Sequence, residues 1–140
     1  MKKSILFTSL FIVIALLSAC SQTPEAVVTE TAALTVGSEE FSLSELEAYE
    51  TLSADYTNKD GETSTFEGVA LTDLLQDANL TDGDTLIFTA SDGYEAEMPL
   101  DEALSCTNCI VAFDDNILRM VMPDMSSKLQ VKDVVKISVK

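Results

Sequence analysis

Histidine is absent from all 140 residues, and this absence removes more chemistry than any motif supplies. Without imidazole there is no Ser/His or Cys/His nucleophilic pair, no usual nitrogen ligand for zinc and no CxxCH attachment of haem. Arginine occurs once, at Arg119, and nowhere do Lys and Arg cluster. Neutralising a phosphate backbone requires such a cluster, and the formal net charge of −16 works against it, so nucleic-acid binding is excluded. Cysteine is scarce as well, with none between Ser21 and Ser105. The chain has no internal repeat, and its one long hydrophobic run, Ile5 to Leu17, lies at the N-terminus.

That run follows Lys2 and Lys3, is too short for an ordinary spanning helix, and ends in small residues before Cys20. It reads as an export signal. The tetrad Leu17-Ser18-Ala19-Cys20 resembles the lipobox of bacterial lipoproteins, in which the cysteine becomes the diacylated first residue of the mature chain. The resemblance implies a signal peptide over residues 1–19, palmitate-type acylation at Cys20 and an extracytoplasmic, membrane-anchored protein. Each buried methylene of such an anchor contributes about 0.8 kcal/mol. The alternative is an ordinary secretory signal with a coincidental cysteine.

Removing Lys2 and Lys3 with the signal takes the basic count from 8 to 6, against 24 acidic residues. The acidic side chains are dispersed among apolar ones, as on a solvated face. Residues 20–31, rich in Ser, Thr, Glu and Pro, read as a flexible tether, and residues 32–140 as one domain. Ala33 to Val36 predicts a strand, and Ser42-x-x-Glu45 is a capping box opening a short helix. Asp60-Gly61 and Asp92-Gly93 predict two hairpins: Thr51–Asn58 with Thr63–Phe66, and Thr85–Ala90 with Tyr94–Met98. Leu71, Leu74 and Leu75 mark a helix over 70–78, and Asp101 to Ser105 one helical turn. Strands are expected at 109–113, 118–122 and 131–139. The pattern is α+β, with mixed β-sheets and a few short helices.

Three segments then fall together in order: Gly68-Val69-Ala70-Leu71-Thr72-Asp73-Leu74-Leu75, Ser91-Asp92-Gly93-Tyr94, and Leu118-Arg119-Met120-Val121-Met122-Pro123, closed by Val131 to Ile137. In that order they resemble the oxidoreductase molybdopterin-binding domain of the sulfite oxidase family. The resemblance implies mixed sheets around a cleft and a molybdopterin-type pterin as cofactor. It implies too that the molybdenum is bound by a cysteine early in the domain, with basic residues holding the cofactor phosphate. The chain departs on each point: it has no early cysteine and a single arginine, and Asp114-Asp115-Asn116 replaces a Gly-rich approach. The fold is expected to carry over and molybdenum catalysis is not.

Among the remaining residues, Cys106-Thr107-Asn108-Cys109 is the one local chemical motif. It is open to three readings: a static disulfide, a reversible dithiol passing electrons to a membrane redox partner, or a pair of free thiols. Cys106 at the end of a helical turn is disfavoured as a thiolate by the helix dipole. Met120 and Met122 share one strand face and are soft ligands suited to Cu(I), or else core-filling side chains. A single CxxC supplies half a zinc site. Asp92 and Tyr94 are hairpin residues that the resemblance places beside a cleft. Arg119 is either a surface ion pair or the contact for an anionic ligand group. Together these readings point to an anchored lipoprotein that binds a small, pterin-like or other ligand or a partner without catalysis. The alternatives are an accessory thiol/disulfide redox protein using Cys106 and Cys109, and a Cu(I)-binding protein.

Overall fold

The protein is described by a computed structural model covering residues 30–140. The export signal, Cys20 and all but the last two residues of the tether lie outside the described residues. In chain order the strands are β1 (Ala32–Val36), β2 (Glu39–Ser42), β3 (Thr51–Thr57), β4 (Thr63–Ala70), β5 (Thr85–Ala90), β6 (Glu95–Pro99), β7 (Ile110–Asp114), β8 (Ile117–Val121) and β9 (Val134–Val139). Three short helices, α1 (Leu43–Glu47), α2 (Leu71–Asp77) and α3 (Leu100–Ser105), and a 3₁₀ turn at Ser127–Leu129 complete the elements. The strands form a five-stranded sheet, β2-β1-β9-β5-β6, and a four-stranded sheet, β3-β4-β7-β8. Only β1 and β9 pair in parallel. The α+β architecture is the one expected.

Local chemistry explains most of these elements. Strand β5 alternates, placing Leu86, Phe88 and Ala90 in the core. Both Asp-Gly hairpins form, with Thr57 opposite Thr63 and Thr89 opposite Glu95, and Gly93 takes the left-handed φ of 88° that its turn requires. The capping box is complete: Ser42 Oγ accepts from Glu45 N at 3.3 Å, and Ser42 N donates to Glu45 Oε2 at 2.8 Å. The backbone N–H of Ser42, helped by its hydroxyl, holds the Glu45 carboxyl below the usual carboxylate range.

Two departures from the expected elements are informative. Strand β2 forms from Glu39-Glu40-Phe41-Ser42, a segment of poor strand propensity, because Phe41 pairs across to Leu34 while both glutamates point to solvent from a sheet edge. The last strand begins at Val134 rather than Val131. Asp133 has φ 53°, which breaks the run, and Val131 and Lys132 pair instead with β8: Met120 N donates to Val131 O at 2.8 Å, and Arg119 and Lys132 form an antiparallel bridge. One stretch of chain therefore leaves one sheet and joins the other, stitching them at a seam.

The main core lies between the sheets. It joins Leu34, Val36, Phe88 and Ile137 of one to Val69, Val111 and Met120 of the other, closed by Leu46, Leu71, Leu74, Leu75 and Leu100 from the helices. The opposite face of the four-stranded sheet carries a second, smaller cluster of Ala54, Ile110, Ala112 and Val121, flanked by Tyr56 and Phe66. Gly68 belongs to the sheet that separates them. A Cβ there would stand 2.1 Å from Val111 O and 2.5 Å from Ala112 Cα, so β4 and β7 can approach only with glycine between them. Gly68→Ala is expected to lower unfolding stability by about 1–3 kcal/mol. A denaturant midpoint equal to wild type would contradict this packing.

Candidate anion-binding cleft at the seam

Arg119 sits where β8 meets the crossing segment. In the β7–β8 hairpin Ala112 faces Arg119 and Asp114 faces Ile117, which makes Asp114 and Arg119 diagonal neighbours on one sheet face. Arg119 Nη1 donates to Asp114 Oδ2 at 3.0 Å, and the guanidinium carbon lies 4.8 Å from the centroid of the Phe66 ring. The ion pair expected at the surface is drawn partly inward, with 11% of the arginine side chain and 30% of the aspartate side chain exposed. Its position is fixed from three sides by β7, by Phe66 of β4 and by the bridge to Lys132.

That bridge sets two cations directly opposite each other. Like charges in facing positions of an antiparallel pair are destabilising, with Cβ atoms roughly 4.5–5.5 Å apart. Asp114 offsets one charge; among the described residues Lys132 has no salt bridge. Beside it, the Gln130 side chain clamps the backbone of Met122, with Oε1 accepting from N at 3.1 Å and Nε2 donating to O at 2.6 Å. The clamp closes the loop of residues 123–129 and fixes the wall on which Lys128 and Lys132 stand.

A cavity of about 430 Å³ opens over Arg119, with Tyr56, Lys59, Phe66, Gln130 and Lys132 in its lining and the carboxylates of Asp60 and Glu62 at the β3–β4 turn. A second, of about 250 Å³, lies on the other side of Gln130 and Lys132 and is bordered by Asp92, Tyr94 and Lys128. Tyr94 N donates to Asp92 Oδ1 at 2.9 Å, and the Tyr94 hydroxyl donates to Lys128 O at 3.1 Å. The described residues hold six basic side chains, and four of them, Lys59, Arg119, Lys128 and Lys132, line these two cavities. The same linings carry three carboxylates, Asp60, Glu62 and Asp92, so the cleft is close to charge balance within a strongly acidic chain, with Arg119 and Lys132 set together where they can meet an oxyanion.

The structure thus brings Asp92, Tyr94 and Arg119 to neighbouring cavities. Sequence reasoning missed Lys59, Lys128, Gln130 and the aromatic walls Tyr56 and Phe66. The one signal available was Lys132 inside the closing motif, and its partner depends on a register that sequence does not display. The sulfur residues lie elsewhere. Cys106, the C-cap of α3, is disulfide-bonded to Cys109, whose carbonyl accepts from Leu71 N at 2.9 Å and so anchors the start of α2. Met120 and Met122 are fully buried in the main core. Tyr49, also away from the cleft, donates to Asp77 Oδ2 at 2.5 Å, and burial, followed by that carboxylate, pushes its hydroxyl up to about 12.

These side chains bear on the cofactor that the resemblance implies. The molybdenum ligand that the resemblance implies is a cysteine thiolate, and both described cysteines spend their sulfur on each other. No group of three or more His, Cys, Asp or Glu among the described residues is arranged to hold a metal ion. The donor set does not fit a molybdenum centre, whereas the cations of the cleft fit an anionic group.

The family model described as the oxidoreductase molybdopterin binding domain matches residues 26–140, and the chain belongs to that family. Among solved structures, the sulfane dehydrogenase SoxCD from Paracoccus pantotrophus superposes with a TM-score of 0.62 at 15% identity, over 77% of this chain and 37% of that one. The likeness is one of fold, and this chain spans little more than a third of that neighbour's length. No curated protein matches. Within this fold the Cys106–Cys109 bond closes a very short ring, and its reduction is expected to cost about 2 kcal/mol of stability by loop-closure entropy. Identical denaturation curves with and without reductant would contradict that.

Proposed function

We propose that the protein is an extracytoplasmic lipoprotein, anchored to the membrane through an acylated Cys20, whose domain binds a small anionic ligand at Arg119 and Lys132 without catalysing its conversion. The observation that carries the binding reading is the facing pair itself. A chain with 24 acidic residues sets two of its few cations opposite each other, at an electrostatic cost that an anion between them would relieve. Local conflicts of this kind concentrate at functional sites. Family membership and the sulfane dehydrogenase neighbour support a setting in redox metabolism.

The non-catalytic part of the proposal rests on the donor set, which offers neither thiolate nor imidazole for the chemistry the family's name suggests. The accessory redox reading has one favouring observation, a CxxC disulfide already formed at the end of α3. The helix terminus and the lack of a nearby cation in sequence disfavour its thiolate, so ligand binding is the better-supported reading.

Two measurements check the proposal. In a phosphorus NMR titration of the full chain with inorganic phosphate, Arg119→Gln and Lys132→Gln are each expected to weaken binding about tenfold, equivalent to about 1.4 kcal/mol. Unchanged affinity in both variants would remove the cleft from the account. Intact-mass spectrometry of protein from its own membrane is expected to show acyl chains on Cys20 that Cys20→Ser lacks; an unmodified mature chain would refute the anchor.

A further inference from the structure

The two cavities meet at one wall. Ser127, Gln130 and Lys132 line both, so Lys132 serves each side, while Lys59 and Arg119 belong to the larger cavity and Lys128 to the smaller. The wall is rigid where it matters, with Gln130 clamped on both polar groups of the Met122 backbone and the carbonyl of Lys128 held by the Tyr94 hydroxyl. The backbone positions that carry the cations are therefore set in series across the wall, with the lysine side chains exposed from it.

Size and charge separate the two compartments in role. At about 430 Å³ the larger falls within the roughly 300–1,000 Å³ of small-molecule sites, and the smaller, at about 250 Å³, falls below it. Sharing the wall of Gln130 and Lys132 with the larger, the smaller suits the extension of a ligand already seated next door. Its carboxylate, Asp92, accepts from Tyr94 N and keeps its charge, and against it Lys128 and Lys132 supply two cations, which leaves the lining positive by one. In the larger cavity Asp60 and Glu62 stand on the β3–β4 turn beside Lys59, while Arg119 and Lys132 face each other across the bridge and form the pair placed to meet an anion.

From this arrangement we infer that the cavities are two subsites of one groove, whose ligand is an extended chain bearing at least two oxyanion groups. One group lies between Arg119 and Lys132, and the next passes the Gln130 wall to Lys128. A single small anion reaches only the first position, and a longer one engages cations on both sides of the wall. The inference rests on the binding reading given above and specifies the class of ligand.

The test is a length series of orthophosphate, pyrophosphate and tripolyphosphate, titrated at constant ionic strength into the full chain and its variants. In wild type, affinity is expected to climb at least tenfold from the shortest to the longest. In Lys128→Gln the ratio of tripolyphosphate to orthophosphate affinity is expected to fall about tenfold. Lys136→Gln, which removes the same charge from an exposed position on β9 outside both cavities, is expected to leave that ratio at the wild-type value. Lys128 and Lys136 are both exposed, so neither substitution threatens the fold. Equal ratios in wild type and Lys128→Gln, or an equal fall in Lys136→Gln, would overturn the groove while leaving Arg119-dependent phosphate binding intact. Absence of any Arg119-dependent binding would overturn the binding reading and the groove together.

Discussion

The antiparallel bridge between Arg119 and Lys132 is the constraint around which this molecule is arranged. Strand β8 is the edge of one sheet, and an unpaired edge is a liability unless something covers it. Here the segment leading into β9 covers it, donating no strand of its own to that sheet but pairing through Val131 and Lys132 before Asp133 turns it into the other. The same few residues join the sheets, define the mouth of the cleft and set its charge. Phe66 and Asp114 then hold the guanidinium in place, at the cost of part of its charge.

Much of this fold was legible because its determinants are local. Asp-Gly turns, the Ser42–Glu45 box and the leucine spacing of α2 act over a few residues and formed where the sequence placed them. Strand β2 was hidden because pairing with β1 overrides the weak propensity of its two glutamates. The motif glycine at 68 was visible, and its reason was not: only the register of β4 on β7 reveals that a side chain would strike the carbonyl of Val111. The cleft was legible in part for the same cause. Asp92, Tyr94 and Arg119 stood out by motif, whereas Lys59, Lys128 and Lys132 are unremarkable lysines until three distant segments converge.

Family membership and side-chain chemistry divide the inheritance of this chain. The fold is the one the family and the larger sulfane dehydrogenase share. Among the described residues no thiolate is available for the metal, because both cysteines close a small ring at the far end of α3. Fold and chemistry are inherited separately, and the family's fold does not by itself carry its metal chemistry to this chain.

Because Arg119 is the sole arginine in the sequence, its Nε–H gives one unambiguous resonance, and it stands at the centre of the claim. Following that signal while pyrophosphate is added to the full chain tests the account directly. The account requires a saturable shift whose midpoint moves to about tenfold higher pyrophosphate in Lys132→Gln; a resonance that stays fixed while other amides move would place the anion elsewhere and contradict it.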